Sequence, residues 1–326
     1  MPEYGLEKEK EQKEADKLAE YKSTLTNDEL EELVKKTKEL KEYQDTPSSQ
    51  EDLEKIPMLE LSDIKREPAK DYNDVKSVDG IKIVHHNIFT NKIAYINMSF
   101  DTKCVPDELI PYMGLLGSTL SLMDTKNYTY PELTNEININ CGGLATGTAL
   151  YSDKVDFSKN TIVYEVKSKA LYEKVPFVLG MMEEIMYNTR FDDYKRLKEI
   201  IARIKSRLEA SLMGQGHSIA MLECCAQFSE SAYYSDILRG YKYYEFIKKL
   251  DEEFEQNKTQ IVDKLNKLVG YIFNKDNVIV SLTADDEGYD CFVKALSAKS
   301  CNIKDEHFNT AVRSFIPVNV KTGYTS

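Results

Sequence analysis

Hydrophobic and polar positions follow two different periods along this chain, and the change of period divides it. From residue 3 to about residue 44 nearly every residue is a good helix former, interrupted only at Ser23 to Asn27, so two helices are expected. The second opens with Thr26-Asn27-Asp28-Glu29. This is a capping box, in which the Thr26 hydroxyl accepts from the Glu29 N–H and the Glu29 carboxylate reaches back to the Thr26 N–H. Its apolar residues Leu30, Leu33, Val34 and Leu40 share one face, whereas the first helix offers only Leu6, Ala15, Leu18 and Ala19. The pair reads as a thin, charged hairpin, either a solvated pair lying on some surface or a strap joining two large domains.

Residues 45–76 carry Pro47, Pro57 and Pro68 among polar residues and read as an extended linker, because proline lacks a donor and drives its predecessor out of helix. Strand patterns then appear at Ile81 to Val84 and Ile93 to Phe100, joined near Thr90-Asn91 as a hairpin. A helix entered at Pro106 is expected through Met123, and a shorter one over Tyr130 to Asn140, stopped by Gly142-Gly143. Strand character returns at Leu144 to Tyr151 and Thr161 to Val166. Val175, Val178, Leu179, Met182, Ile185 and Met186 recur at helical spacing, as do Tyr194, Leu197, Ile201, Ile204, Leu208 and Leu212. Further helices are expected at His217 to Phe228, Tyr241 to Phe254, Thr259 to Phe273 and Glu287 to Ala298, with a buried strand at Val278 to Leu282. Strands, helices, strands and then mostly helices argue an α+β fold, with an antiparallel or mixed sheet covered on one face.

Composition narrows the function classes. The 326 residues are 41% hydrophobic and 30% charged, with a formal net charge of -12, a balance that repels phosphate backbones and anionic membranes and favours basic partners. Nucleic acid and membrane are therefore unexpected partners. No apolar run such as Phe177 to Met182 is long enough to span a bilayer, and no targeting segment is visible at the start. Six cysteines, with Cys224 and Cys225 adjacent and no C-x-x-C pair, suggest neither a disulfide framework nor a cysteine zinc site, and a reducing cytoplasm fits best.

Candidate chemistry is sparse. A zinc site needs convergent ligands, and the chain has four histidines, at 85, 86, 217 and 307. His85 and His86 are neighbours on an expected strand and point to opposite faces, so both cannot reach one ion, and a surface or hairpin-packing role is expected. His217, at an expected helix start, is assigned local capping or packing, and Cys301 and His307 are read as structural. Gly142-Gly143-Leu144-Ala145-Thr146-Gly147 follows a helix and precedes a strand, the reverse of the order that aims helix N–H groups at phosphate, so it is a helix stop. The tyrosines 233, 234, 241, 243 and 244, interleaved with Arg239 and Lys242, are read as helix packing rather than a stacking platform for single strands. No Gly-x-Ser-x-Gly appears. The residues themselves thus yield a fold class and no catalysts.

Several stretches together resemble the presequence-protease branch of the insulinase and pitrilysin superfamily. They are Lys17 to Lys22, Leu25 to Leu30, Thr37 to Gln44, Ile56 to Leu59 with Asp63-Ile64, Thr90 to Asp101, Leu109 to Gly117, Asn127 to Leu133 and Gly142-Gly143. The resemblance implies a clamshell of two halves closing around unfolded peptides, each half of two related α+β domains, with zinc held in the first domain by H-x-x-E-H. By that resemblance residues 1–44 are the helical hairpin between the halves, 45–76 an extended linker, and 77–305 a non-catalytic insulinase-like domain with a mixed, mainly antiparallel sheet covered by helices. Residues 306–326 begin a truncated fourth domain, Phe315 to Val320 being its first strand. Pro111 to Leu116 would fall where the catalytic domain carries its motif, placing Tyr112, Leu115 and Leu116 at the ligand positions, where none is a usual zinc ligand.

The chain is therefore expected to hold no cofactor, zinc belonging to the catalytic half, and to be inactive alone. Its expected partners are that catalytic half, on the same or a separate chain, and unfolded, in particular basic, peptides. The expected role is chamber wall and interdomain linker of a zinc metalloendopeptidase. The competing readings are a stand-alone peptide- or protein-binding module and an inactive subunit of a two-chain peptidase.

Overall fold

A computed structural model of the protein describes residues 5–67, 73–156, 159–298, 302–313 and 315. The chain divides into two compact units, Met1–Ala69 and Lys70–Ser326.

The first unit contains α1 (Leu6–Thr24), α2 (Asn27–Asp45) and the short α3 (Gln50–Glu54). The break between α1 and α2 falls where the capping box requires: Glu29 N–H donates to Thr26 Oγ1 at 3.3 Å, and Thr26 N–H donates to Glu29 Oε2 at 2.8 Å. None of these helices buries a residue. Leu33, Val34 and Leu40 remain about half exposed, so packing within this unit adds little and helix propensity and capping carry the local structure. The stretch expected as plain extended linker is more structured than that. Ser49 accepts from the Asp52 N–H and nucleates α3, and the first strand begins inside it at Asp74.

The second unit is built on a six-stranded mixed sheet: β1 (Asp74–Val78), β2 (Ile81–Asn87), β3 (Ile93–Asp101), β4 (Leu144–Ser152), β5 (Asn160–Leu171) and β6 (Val278–Ala284). The order is β1-β2-β6-β3-β5-β4, with β2 and β6 parallel and the other pairs antiparallel. This corrects the expected hairpin at Thr90-Asn91. β2 and β3 do not pair, because β6 lies between them, registering Ile83 against Val280 on one side and Val280 against Met98 on the other. The true hairpin is β1-β2. Val78 pairs with Ile81, and the two turn residues Asp79 and Gly80 take φ of 51° and 81°, the mirror-image turn whose twist suits adjacent strands and which Asp-Gly favours.

Strand alternation then sorts the two faces of the sheet. Ile83 and His85 on β2, Ile96, Met98 and Phe100 on β3, and Val280 and Leu282 on β6 are buried, while Tyr95 and Ile279 are exposed. Against the buried face lie α4 (Ile110–Thr119), α5 (Tyr130–Asn140), α6 (Val175–Tyr187), α7 (Tyr194–Gly214), α9 (Glu230–Arg239), α10 (Tyr241–Glu252), α11 (Phe254–Ile272) and α12 (Asp286–Ser297), sharing one core with the strands, while α8 (Gly216–Cys225) buries no residue. Phe273 stands at its centre, edge-on to Phe100 at 5.1 Å and to Tyr164 at 5.5 Å. Each fully buried side chain of this size contributes about 1.5–3 kcal/mol of transfer free energy.

The helix expected from Pro106 to Met123 is shorter. Pro106 precedes a 3-10 turn at Asp107–Leu109, Pro111 occupies the first turn of α4, and the helix ends at Thr119. β5 runs on to Leu171, beyond the expected Val166, because Ala94 and Ile93 extend its ladder with β3. α9 has no counterpart among the expected helices. Of the segment expected to start a fourth domain, residues 314 and 316–326 lie outside the described residues. The described part returns to the second unit, where Ala311 N–H donates to the Lys103 carbonyl and Phe308 packs on Tyr271.

Candidate functional site

The helix α4 is the element that the resemblance singles out, and its sequence explains its burial. Ile110, Tyr112, Met113, Leu115, Leu116 and Thr119 are buried on nearly all sides of ten residues, so α4 runs through the core rather than over a surface. Tyr112 packs edge-on against Phe246, its ring centroid 4.8 Å away, and its hydroxyl accepts from Lys264 Nζ at 3.3 Å. Leu115 and Leu116 are both 0% exposed. A zinc ion does not fit these residues, since the two leucines offer no donor and the tyrosine oxygen already accepts from a lysine ammonium.

The histidines are dispersed. His85 is fully buried, which corrects the surface role among those expected for it, and there is no β2-β3 hairpin for it to pack. Its Nε2–H donates to the Ala284 carbonyl at 3.0 Å while Nδ1 accepts from Lys76 Nζ at 3.3 Å, and its ring lies 4.6 Å from that of Tyr289. Only the neutral imidazole carrying its hydrogen on Nε2 satisfies both bonds. His86 points to the other face, as the strand period requires, with Nε2 3.1 Å from Ser281 Oγ. His217 is exposed on the first turn of α8, whose cap Gln215 receives no side-chain bond, so the expected capping or packing is not made.

His307, read as structural, has acidic neighbours. Its Nδ1 bonds Asp276, and Asp305 completes a group of three ligand-type side chains, all exposed. The Asp276 hydrogen bond raises the His307 pKa above its ordinary value. Lys275 Nζ, 3.9 Å from Asp305, already supplies a cation there. Cys301 lies outside the described residues.

The glycine pair behaves as a helix stop. Gly143 takes φ of 102° just beyond α5, and Gly142 N–H donates to the Lys169 carbonyl at 2.7 Å, which ties the turn to β5. The tyrosine-rich stretch packs α9 on α10: Tyr234 and Tyr243 are buried, and Lys242 sits 4.8 Å over the Tyr233 ring.

Two concave regions of the second unit carry polar or charged side chains. The open face of the sheet carries a shallow cavity of about 430 Å³, lined in part by Tyr95, Asn97, Lys167, Lys169, Ser281 and Thr283. Beside it Glu165 is held by Asn97 Nδ2 at 2.9 Å, Tyr151 OH at 3.0 Å and Lys167 Nζ at 2.6 Å. Burial pushes its carboxyl up, but these bonds outweigh that and keep it below the ordinary glutamate range. A second cavity of about 510 Å³ opens between α4, β4, α7 and α9, and three arginines line it. Sequence reading missed it, although Arg203 and Arg207, four residues apart on α7, were the available signal.

Over 313 residues the chain is 36% identical to protein HypA of Clostridium perfringens (strain 13 / Type A), an alignment that covers 94% of this chain and 32% of that protein. Over 285 residues it is 29% identical to presequence protease 1, chloroplastic/mitochondrial, of Arabidopsis thaliana, covering 87% of this chain and 26% of that protein. The chain thus spans about a third or less of these curated relatives. Among solved structures, a conserved protein from Enterococcus faecalis V583 superposes with a TM-score of 0.51 at 11% identity, covering 73% of this chain and 54% of that one, a likeness of fold. The model of the peptidase-associated family, that of peptidase M16 subgroup C, matches residues 1–250, and the chain belongs to that family.

Proposed function

We propose that this chain is the non-catalytic part of a zinc metalloendopeptidase that degrades unfolded peptides, with the second unit serving as chamber wall and the first as interdomain linker. The observation that carries the reading is the burial of α4. At the positions that the resemblance aligns with H-x-x-E-H, Tyr112, Leu115 and Leu116 are packed into the core, which supports a helix that serves stability and not metal binding. The open sheet face supports the role of wall, because it offers polar and cationic side chains, Tyr95, Lys167 and Lys169 among them, that the second unit leaves exposed. Zinc then belongs to the catalytic half, where it would activate water and polarise the scissile carbonyl. The net charge of -12 would draw cationic, unstructured peptides into the chamber.

The test is reconstitution. The chain alone is expected to cleave no peptide, and a catalytic half bearing H-x-x-E-H is expected to cleave an unstructured basic peptide faster when this chain is added. Chelator-sensitive peptidase activity of the chain alone overturns the reading. So does a complete second half that binds its catalytic partner and leaves its rate unchanged.

A further inference from the structure

In a chain with 55 acidic residues, the cavity between α4, β4, α7 and α9 is lined by none of them. Arg203, Arg207 and Arg239 line it instead. Arg203 and Arg207 make no ion pair or hydrogen bond with the described residues, and Arg239 has only a long bond to Ser235 Oγ at 3.5 Å. Three like charges gathered on one cavity repel one another, and no acidic side chain on its wall neutralises them. An arrangement of this kind favours an anion, and guanidinium groups recognise a carboxylate through paired donors.

A second observation, independent of the arginines, belongs to the same wall. Tyr243 is 4% exposed, lines the cavity, and its hydroxyl is buried without a hydrogen-bond partner among the described residues. A buried hydroxyl left unpaired is costly, and a ligand oxygen would supply the bond. Burial raises the Tyr243 pKa, opposed by Arg207, which places that guanidinium within electrostatic reach of the phenol. The ring is fixed in place by the bare backbone of Gly114, where an added Cβ would stand 2.8 Å from Tyr243 Cε2. Ser118, Ser121 and Thr148 add hydroxyls to the wall, and Ile200, Leu208 and Leu238 make the rest apolar. Inorganic phosphate would use the arginines and leave the apolar wall bare, whereas an anion carried on an apolar body uses both. A volume of about 510 Å³ is within the usual range for small-ligand sites and has room for the terminal residues of a peptide.

We propose that this cavity is a binding site for the C-terminal carboxylate of a peptide ending in an apolar residue, with Arg203, Arg207 and Arg239 holding the carboxylate and Tyr243 donating to it. The site stands on this chain's own residues and does not depend on the peptidase reading. It also provides the net-acidic chain with a place where the anionic end of an otherwise basic peptide is retained.

The test compares two probes on the full chain by calorimetry: N-acetyl-Ala-Leu-Phe with a free carboxylate, and the same peptide as its C-terminal amide. The free acid is expected to bind saturably and the amide at least about tenfold more weakly, the loss that follows from removing one charge-assisted contact. Arg203→Gln with Arg207→Gln, both exposed on α7, should abolish the preference for the acid, and Tyr243→Phe should weaken the acid while leaving the amide unchanged. Circular dichroism checks that each variant is folded. Equal binding of acid and amide, no saturable binding of the acid, or an undiminished preference in the folded double variant overturns the proposal. Binding of inorganic phosphate without binding of the peptide acid also overturns it.

Discussion

His85 Nε2 donates to the Ala284 carbonyl across 3.0 Å, joining residues 199 apart in sequence. The bond closes the end of the parallel pair β2-β6, one of the two pairings by which β6 separates β2 from β3. His85→Ala would empty a fully buried site and leave the Ala284 carbonyl with only its 3.4 Å bond from the Ile88 N–H. A loss of about 2 kcal/mol or more is expected, read as a lower denaturant midpoint at unchanged slope. A midpoint equal to that of the parent would show that this link contributes nothing.

Glu184 on α6 is a buried carboxylate held on several sides, accepting from Asn127 Nδ2 at 2.8 Å, Asn127 N–H at 3.1 Å and Asn188 Nδ2 at 2.7 Å. Burial pushes its carboxyl up, and hydrogen bonds from Thr125, Asn188 and Asn127 outweigh that, holding it below its ordinary value of 4.5. A depressed folded value means that the stabilisation is present above pH 4.5 and is lost as pH falls through the folded value. Unfolding midpoints measured below that pH should therefore fall less steeply in Glu184→Gln than in the parent, a tenfold difference in proton affinity between folded and unfolded chain being worth about 1.4 kcal/mol. Identical acid profiles would contradict the assignment.

Introducing the Glu-His pair of H-x-x-E-H into α4 should unfold the domain. Leu115→Glu places a carboxylate, and Leu116→His an imidazole, in positions that are 0% exposed and surrounded by apolar side chains. Each is expected to cost about 3 kcal/mol or more. Thermal melts with and without zinc decide it: a folded double variant that is further stabilised by zinc would show that the helix can still serve as a metal site.

Dialysed chain is expected to carry no stoichiometric zinc by elemental analysis. The group Asp276, Asp305 and His307 is exposed, and the nearby Lys275 competes for its charge. Zinc retained at one equivalent, and lost in His307→Ala, would place a site there.

Amides of α1 and α2 should exchange close to the rate of a free helix, since neither helix buries a residue, while amides of Met98 and Val280 in the central ladder should exchange only on global unfolding. Strong protection throughout α2 in the isolated chain would mean that its apolar stripe is already covered.

Local chemistry is legible in the sequence because it acts over a few residues. The Thr26 capping box, the stop at Gly142-Gly143, the opposed faces of His85 and His86 and the α+β class all follow from spacing alone. The Asp79-Gly80 turn is equally local and equally readable, but Thr90-Asn91 offers a competing turn signal between two strand patterns, and there the chain reverses without strand pairing. What only tertiary structure decides is everything that joins distant segments. β6 slots between β2 and β3 after nearly two hundred residues of chain, because its Val278, Val280, Leu282 and Ala284 bury fully only in the centre of the sheet, and no periodicity states which strand a buried strand will choose. The three arginines on one cavity and the approach of Asp276 to His307 arise in the same way: their helices and loops are placed by the core, and the side chains meet because apolar burial elsewhere brings them there.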